Sequence, residues 1–231
     1  MDGNGRWAER QGYPRTRGHQ VGVDRVEEAV RFAAQIGVKY LTLYAFSKEN
    51  WKRPEREVDF LMKLLSRYLD RYLGEKQKDD VIQKIVFKTI GRIDDLPREV
   101  RDKVARVVEA TRNNPGLVLN FALSYSARFE ITEACQKIAR EAQEGRLDPR
   151  DITEETVSGH LYTTGFPDPD LLIRTSGEVR VSNFLLWQIS YSEIYITEKC
   201  WPEFTKEEFK KALQAYEKRE RRFGHTLAKK A

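Results

Sequence analysis

The chain has 231 residues, 40% of them hydrophobic, with 41 lysines and arginines against 36 aspartates and glutamates, a formal net charge of +5. That length and apolar share suit one α/β domain over residues 1–231 and exclude a disordered or fibrous chain. No apolar run approaches the ~18 residues a membrane span needs, no leader opens the chain, and Cys135 and Cys200 lack ligand spacing, so the expectation is a cytoplasmic protein with two buried free thiols.

The chain opens on Met1-Asp2-Gly3-Asn4-Gly5-Arg6-Trp7, followed by Arg10, Arg15, Arg17 and His19. Such a loop suits a diphosphate: glycines let backbone N–H groups approach phosphate oxygens, and arginines add charge-assisted bonds. Asp2 would repel that anion unless a cation intervened, which points to Mg2+. The plainer alternative is a tight turn with solvated arginines. Neither a Walker loop nor G-x-G-x-x-G is present.

Helical spacing of Val23, Val26, Ala29, Val30 and Ala33 predicts a helix from Gly22 to Ile36, and a strand follows from Tyr40 to Phe46. At the end of that strand come Ser47, Asn50, Trp51 and Arg53, where α/β sheets gather their ligands. Glu57 reads as an N-terminal charge on the next helix, Glu55 to Leu73, whose apolar face carries Val58, Leu61, Leu65 and Leu69. Strand Lys84–Ile90, helix Pro97–Arg112, strand Leu117–Leu123 and helix Ala127–Glu144 continue the alternation. A short helix, strands Leu171–Arg174 and Glu193–Thr197, and a helix opened by Thr205 with Glu208 at capping-box spacing complete it. This is the pattern of a mostly parallel central sheet flanked by helices. A strand ahead of the first loop would be expected, and the sequence here starts without one.

Arg174, Arg180 and Ser182 lie on a glycine-containing loop after a short strand and form a second anion site. Glu193 enters an apolar strand, where a carboxylate needs either a metal or an arginine partner. Two anion sites and two acidic residues suggest two phosphorylated substrates joined around a divalent cation. The positive excess alone would equally suit nucleic acid or a membrane surface, but the arginines fall in separate strand-end loops with no nucleic-acid motif.

These residues resemble the cis-prenyltransferases, typified by undecaprenyl diphosphate synthase. The likeness rests on Asp-Gly-Asn-Gly-Arg-Trp-Ala at 2–8, Gly18-His19, Ser47-Lys-Glu-Asn-Trp-Lys-Arg-Pro54, Arg174-Thr-Ser-Gly-Glu178, Arg180-Val-Ser-Asn-Phe-Leu-Leu-Trp-Gln188 and Ser192-Glu193. It implies a homodimer whose subunits each hold an apolar product tunnel, with peripheral membrane contact on product release. It implies that Arg6, Arg15, His19 and the Gly3–Gly5 amides hold an allylic diphosphate such as farnesyl diphosphate, and that Arg174, Arg180 and Ser182 hold isopentenyl diphosphate. Asp2 and Glu193 would bind Mg2+, and Ser47, Asn50, Trp51 and Arg53 would line the reacting region. Three proton acceptors stay open: a diphosphate oxygen, Asp2, or a group relayed through Asn50. Arg222 belongs to an Arg-x-Gly that reaches the other subunit in the family. Val179 and Tyr125-Ser126-Ala127-Arg128 stand where members often carry histidine and Tyr-Gly-Gly-Arg. The competing reading from another class is a non-catalytic accessory subunit, which would lack the phosphate-binding residues present here.

Overall fold

The computed structural model describes residues 1–75 and 79–219. Two helices come first, α1 (Asn4–Arg10) and α2 (Arg15–Gln35), followed by β1 (Tyr40–Ser47), α3 (Glu55–Glu75), β2 (Val86–Ile90), α4 (Arg98–Thr111), β3 (Val118–Tyr125) and α5 (Ala127–Gln143). After α6 (Glu154–His160) come β4 (Leu171–Arg174), β5 (Glu193–Ile196) and α7 (Lys206–Glu217).

Among the described residues every strand pair is parallel, but the sheet comes in two pieces. One has the order β1-β3-β2 and the other pairs β4 with β5. In β3, every residue from Leu119 to Tyr125 is buried, the near-continuous burial of a central parallel strand covered on both faces. The outer edges of β1 and β4 are unpaired among the described residues, and both strands line one large cavity. Met1 and Asp2 enter beside it.

The core lies where α2, α3 and α4 cover β1, β3 and β2. Val58, Met62, Tyr68, Leu69 and Tyr72 of α3 are buried, and Tyr72 and Tyr68 pack on Phe87 and Phe121. Each such side chain contributes roughly 1.5–3 kcal/mol by leaving water. The predicted apolar face of this helix divides: Val58 and Leu69 are core, whereas Leu61 and Leu65 line the cavity.

Several local expectations change. The glycine-rich opening is mostly helical, because Gly3 alone takes the left-handed turn (φ 88°) and α1 starts at the next residue. A Cβ at Gly3 would also stand 2.7 Å from the Cys200 sulfur, so space and backbone both require glycine. The second helix begins at Arg15, directly after Pro14 and about two turns earlier than its apolar period shows, and so Arg15, Arg17 and His19 are helical. A Cβ at Gly18 would stand 1.9 Å from the Asn4 carbonyl oxygen, which is how α1 and α2 pack so closely. Cys200 is buried as expected, but Cys135 is exposed, because its position on α5 faces away from the sheet. Thr205 precedes α7 without a side-chain capping bond.

Candidate active site

The carboxyl ends of β1, β3 and β4 meet at the mouth of a cavity of about 1140 Å³. Asp2, Asn4, His19, Ser47, Asn50, Arg53, Arg174, Arg180 and Ser182 all line it. Gly3 just before α1, Gly5, Arg6 and Trp7 on it, and Arg15 at the start of α2 are not part of that lining. Trp51 faces the protein instead: its ring packs edge-on against Phe46 at 4.9 Å, and its indole N–H donates to Ser124 Oγ at 2.8 Å. Ser124 in turn donates to Asp95 at 2.8 Å, so Trp51 braces the loop after β1. Arg222 lies outside the described residues.

Asp2 is held by its backbone before its side chain does anything. Its N–H donates to Thr175 Oγ1 at 2.8 Å, and its carbonyl accepts from Trp201 N–H at 2.8 Å and from the Thr175 hydroxyl at 3.0 Å. Its carboxylate accepts from Gly3 N–H at 2.7 Å and from Arg174 Nη2 at 2.9 Å, with Arg6 Nη2 at 3.3 Å. Burial pushes the Asp2 carboxyl up, but the Gly3 N–H and the Arg174 and Arg6 guanidiniums outweigh it and hold the group below the usual carboxylate range. Arg174 also donates to the Arg180 carbonyl at 2.9 Å, while its Nε is buried with no protein partner. An orphaned guanidinium N–H is a donor waiting for an acceptor such as a phosphate oxygen.

A second basic group surrounds Glu57. Arg53 donates to it at 2.9 Å, Arg15 Nε stands at 3.7 Å and His19 Nε2 at 3.6 Å. The sequence reading gave Glu57 only a helix-terminal charge. It does lie in the first turn of α3, but it also gathers Arg53, Arg15 and His19, which requires that α2 pack beside α3. Burial, then the Arg53 cation, pushes the His19 imidazole below its usual value, and its Nε2 is buried and unpartnered.

Two more residues escaped the sequence reading. Asn183, in the left-handed region (φ 60°), donates to Glu49 Oε1 at 3.0 Å and to Ser126 Oγ at 2.8 Å, and its Oδ1 accepts from Arg128 N–H at 2.9 Å. It ties the loop carrying Arg180 and Ser182 to the ends of β1 and β3, and Ser126 also caps α5. Glu178 accepts from Arg6 at 2.5 Å and from Arg180. The sequence marks both only as polar positions on an anion-binding loop. Asn50 accepts from Ser47 N–H at 3.0 Å, so its carboxamide is pinned at the mouth.

Glu193 stands apart. It pairs in register with Leu171, at the opposite end of β4 from Arg174, about 10 Å away at the ~3.3 Å rise of a parallel strand. Its carboxylate accepts from Arg219 at 2.6 Å, the arginine-pair alternative of the sequence reading. Among the described residues no three His, Cys, Asp or Glu side chains converge as a metal site. Mg2+ commonly takes only one or two carboxylates and completes its shell with substrate phosphates and water. The donor set beside the arginines fits that pattern through Asp2 alone. No helix of the described residues is long and apolar enough to cross a membrane.

The family model of undecaprenyl diphosphate synthases matches residues 1–224. An isoprenyl transferase of Geobacillus kaustophilus is 48% identical over 229 residues, covering 99% of this chain and 88% of that protein. The crystal structure of lavandulyl diphosphate synthase from Lavandula x intermedia, in complex with dimethylallyl diphosphate, superposes with a TM-score of 0.94 at 39% identity, over 97% of this chain and 95% of that one. That of a probable undecaprenyl diphosphate synthase from Campylobacter jejuni gives a TM-score of 0.75 at 38% identity, over 88% of this chain and 92% of that one. The expected fold class and the expected prenyltransferase chemistry both stand, and the chain belongs to the undecaprenyl diphosphate synthase family of isoprenyl transferases.

Proposed function

We propose that this enzyme extends an allylic diphosphate primer such as farnesyl diphosphate with isopentenyl diphosphate units, each addition leaving a cis double bond, to give a long polyprenyl diphosphate. The observation that carries this is the join of a polar mouth to an apolar cavity. At the mouth, Asp2 and Arg174 pair at 2.9 Å, and Asn50 lines the same space. Beyond them the same space runs between Val23, Val26, Leu61, Leu65 and Tyr68, and its volume of about 1140 Å³ exceeds the roughly 300–1,000 Å³ typical of small-molecule sites. A growing hydrocarbon needs such room, and a diphosphate needs the arginines.

In each cycle the allylic C1–O bond breaks and its electron pair leaves with diphosphate. The C4 alkene carbon of isopentenyl diphosphate bonds to C1, and a proton leaves C2 to restore a double bond. Arg6, Arg15, His19 and Arg53 hold the departing diphosphate, while Arg174, Arg180 and Ser182 fix the incoming one. Charge developing on the leaving group meets preorganised donors in a partly dry site. Holding both substrates in line removes much of the bimolecular entropy barrier. Asp2 would hold Mg2+, whose chemistry there would be neutralisation of charge on the leaving group. Glu193, about 10 Å from Asp2's partner Arg174 along the strands, is not placed to share that ion within one chain. A homodimer belongs to the same reading, supported by exposed Tyr191 and Ile194 flanking Glu193.

The test is incubation of purified protein with magnesium, farnesyl diphosphate and labelled isopentenyl diphosphate, with product resolved by chain length. Label should pass into long polyprenyl products and be lost in Asp2→Ala. Folded protein that extends nothing overturns the reading in favour of an accessory subunit.

A further inference from the structure

We propose that Glu178 is a built-in counter-anion that locks the two diphosphate sites together, so that the first diphosphate to bind opens the site for the second. The inference rests on the assignment of Arg6 and Arg180 to neighbouring diphosphate sites.

One oxygen of Glu178 accepts from Arg6 at 2.5 Å, and the other accepts from Arg180. These arginines come from α1 and from the loop after β4, far apart in sequence, and a single carboxylate spans them. The bonds continue into a closed circuit: Arg6 reaches Asp2 at 3.3 Å, Asp2 accepts from Arg174 at 2.9 Å, and Arg174 donates to the Arg180 carbonyl at 2.9 Å. Two carboxylates therefore occupy three arginines, in the places where phosphate oxygens would sit.

The backbone presents Glu178 deliberately. Ser176 and Gly177 both take left-handed conformations (φ 77° and 69°), and their N–H groups are pinned to the carbonyls of Lys199 at 2.7 Å and Thr197 at 2.9 Å. At φ 69° a side chain at Gly177 would be strained, and its Cβ would have to push the Glu198 carboxylate aside from 2.4 Å. Glu178 thus projects from a fixed base, and its side chain alone has freedom to leave.

The coupling follows from the bridge. A diphosphate that takes Arg6 must displace one carboxylate oxygen and bears that cost. Glu178 is then held on one side only, and a second diphosphate at Arg180 displaces it more easily. Both ligands favour the same state, with Glu178 swung out, so each raises the affinity of the other by the same factor.

The experiment measures isopentenyl diphosphate binding by titration calorimetry at fixed magnesium, with and without saturating farnesyl thiodiphosphate, a slow-reacting allylic analogue. In the wild-type enzyme the analogue should tighten isopentenyl diphosphate binding by about 5-fold or more. In Glu178→Gln, which keeps shape but removes charge, binding without the analogue should be about 10-fold tighter, and the analogue should no longer change it. Circular dichroism and thermal unfolding of the variant confirm its fold. Weaker binding by Glu178→Gln would make Glu178 a positioning residue for the arginines and overturn the lock. So would wild-type coupling retained in the variant. Wild-type protein that binds neither diphosphate overturns the functional reading itself, a separate outcome.

Discussion

Asp2 and Glu57 each gather cationic side chains at the cavity mouth, but the bonds they make are of different kinds. Around Asp2 the contacts are direct: Arg174 at 2.9 Å, Arg6 at 3.3 Å, and Glu178 tying Arg6 onward to Arg180. Around Glu57 only Arg53 is within hydrogen-bonding distance at 2.9 Å, while Arg15 and His19 stand off at 3.7 and 3.6 Å and His19 Nε2 has no partner. One cluster is closed on itself and the other holds its donors open. An anion can enter the Glu57 cluster by filling space, whereas it enters the Asp2 cluster by replacing a carboxylate. The difference assigns the two clusters different tasks: the open one suits capture of the primer, and the closed one suits a step that must wait for it.

The largest effect should come from breaking the closed cluster at its joint. Arg174→Ala removes the bonds to Asp2 and to the Arg180 carbonyl together with a charge-assisted donor for the incoming diphosphate, and kcat/KM for isopentenyl diphosphate should fall by about 10²-fold. Steady-state assay with labelled isopentenyl diphosphate measures this, and a loss below 10-fold would mean that the incoming diphosphate is held elsewhere. In the open cluster, Glu57→Ala leaves two mutually repelling guanidiniums and the His19 imidazole without the carboxylate between them, at a site that is only 15% exposed. Urea unfolding should show a loss of about 2 kcal/mol, somewhat below the cost of breaking a fully buried pair. Unchanged stability would show that the cations relax apart without Glu57.

The pH dependence of stability separates the clusters further. His19 is pushed below its usual value of 6.5 in the folded protein, by burial first and by Arg53 next. The unfolded chain therefore takes up a proton before the folded one does as pH falls through 6.5, and His19's contribution is full above that pH and lost below it. His19→Gln should flatten the fall in stability on the acid side of pH 6.5. Asp2 is held below its usual value, so its contribution persists to lower pH and is lost as pH drops below about 4, where carboxylates take up protons. A fall near pH 6 that survives in His19→Gln would place the responsible group outside the open cluster.

Much of this was legible in the sequence because the signals were local. The strands Leu171–Arg174 and Tyr40–Ser47 end where apolar runs meet polar turns, and the Arg174, Arg180 and Asn50 positions follow directly from those ends. What escaped depends on which elements pack together. Glu57 looks like an ordinary helix-start charge until α2 lies beside α3, and Glu178 looks like loop polarity until α1 brings Arg6 to it. Cys135 is exposed rather than buried for a related reason: apolar neighbours in sequence on a helix do not share its direction, and Cys135 points outward from α5. The apolar period starts α2 too late because the first two turns, Arg15 to Val21, are mostly polar and so carry no apolar period.

The smallest change in stability should come from Arg15, and it is the sharpest test of the open cluster. Its side chain is 46% exposed and its one direct bond, at 2.9 Å, goes to the equally exposed Glu9. Exposed pairs of this kind contribute about 0–1 kcal/mol, so Arg15→Ala should unfold within ~0.5 kcal/mol of wild type. Yet its guanidinium lies directly over Gly5, where a Cβ would approach it to 2.5 Å, and its Nε stands 3.7 Å from Glu57. If the cluster's purpose is primer capture, KM for the allylic diphosphate should rise about 10-fold while kcat changes little, the signature of uniform binding lost. If instead KM is unchanged, the standing-off geometry around Glu57 is only loose structure, and the contrast with the closed cluster around Asp2 loses its functional meaning.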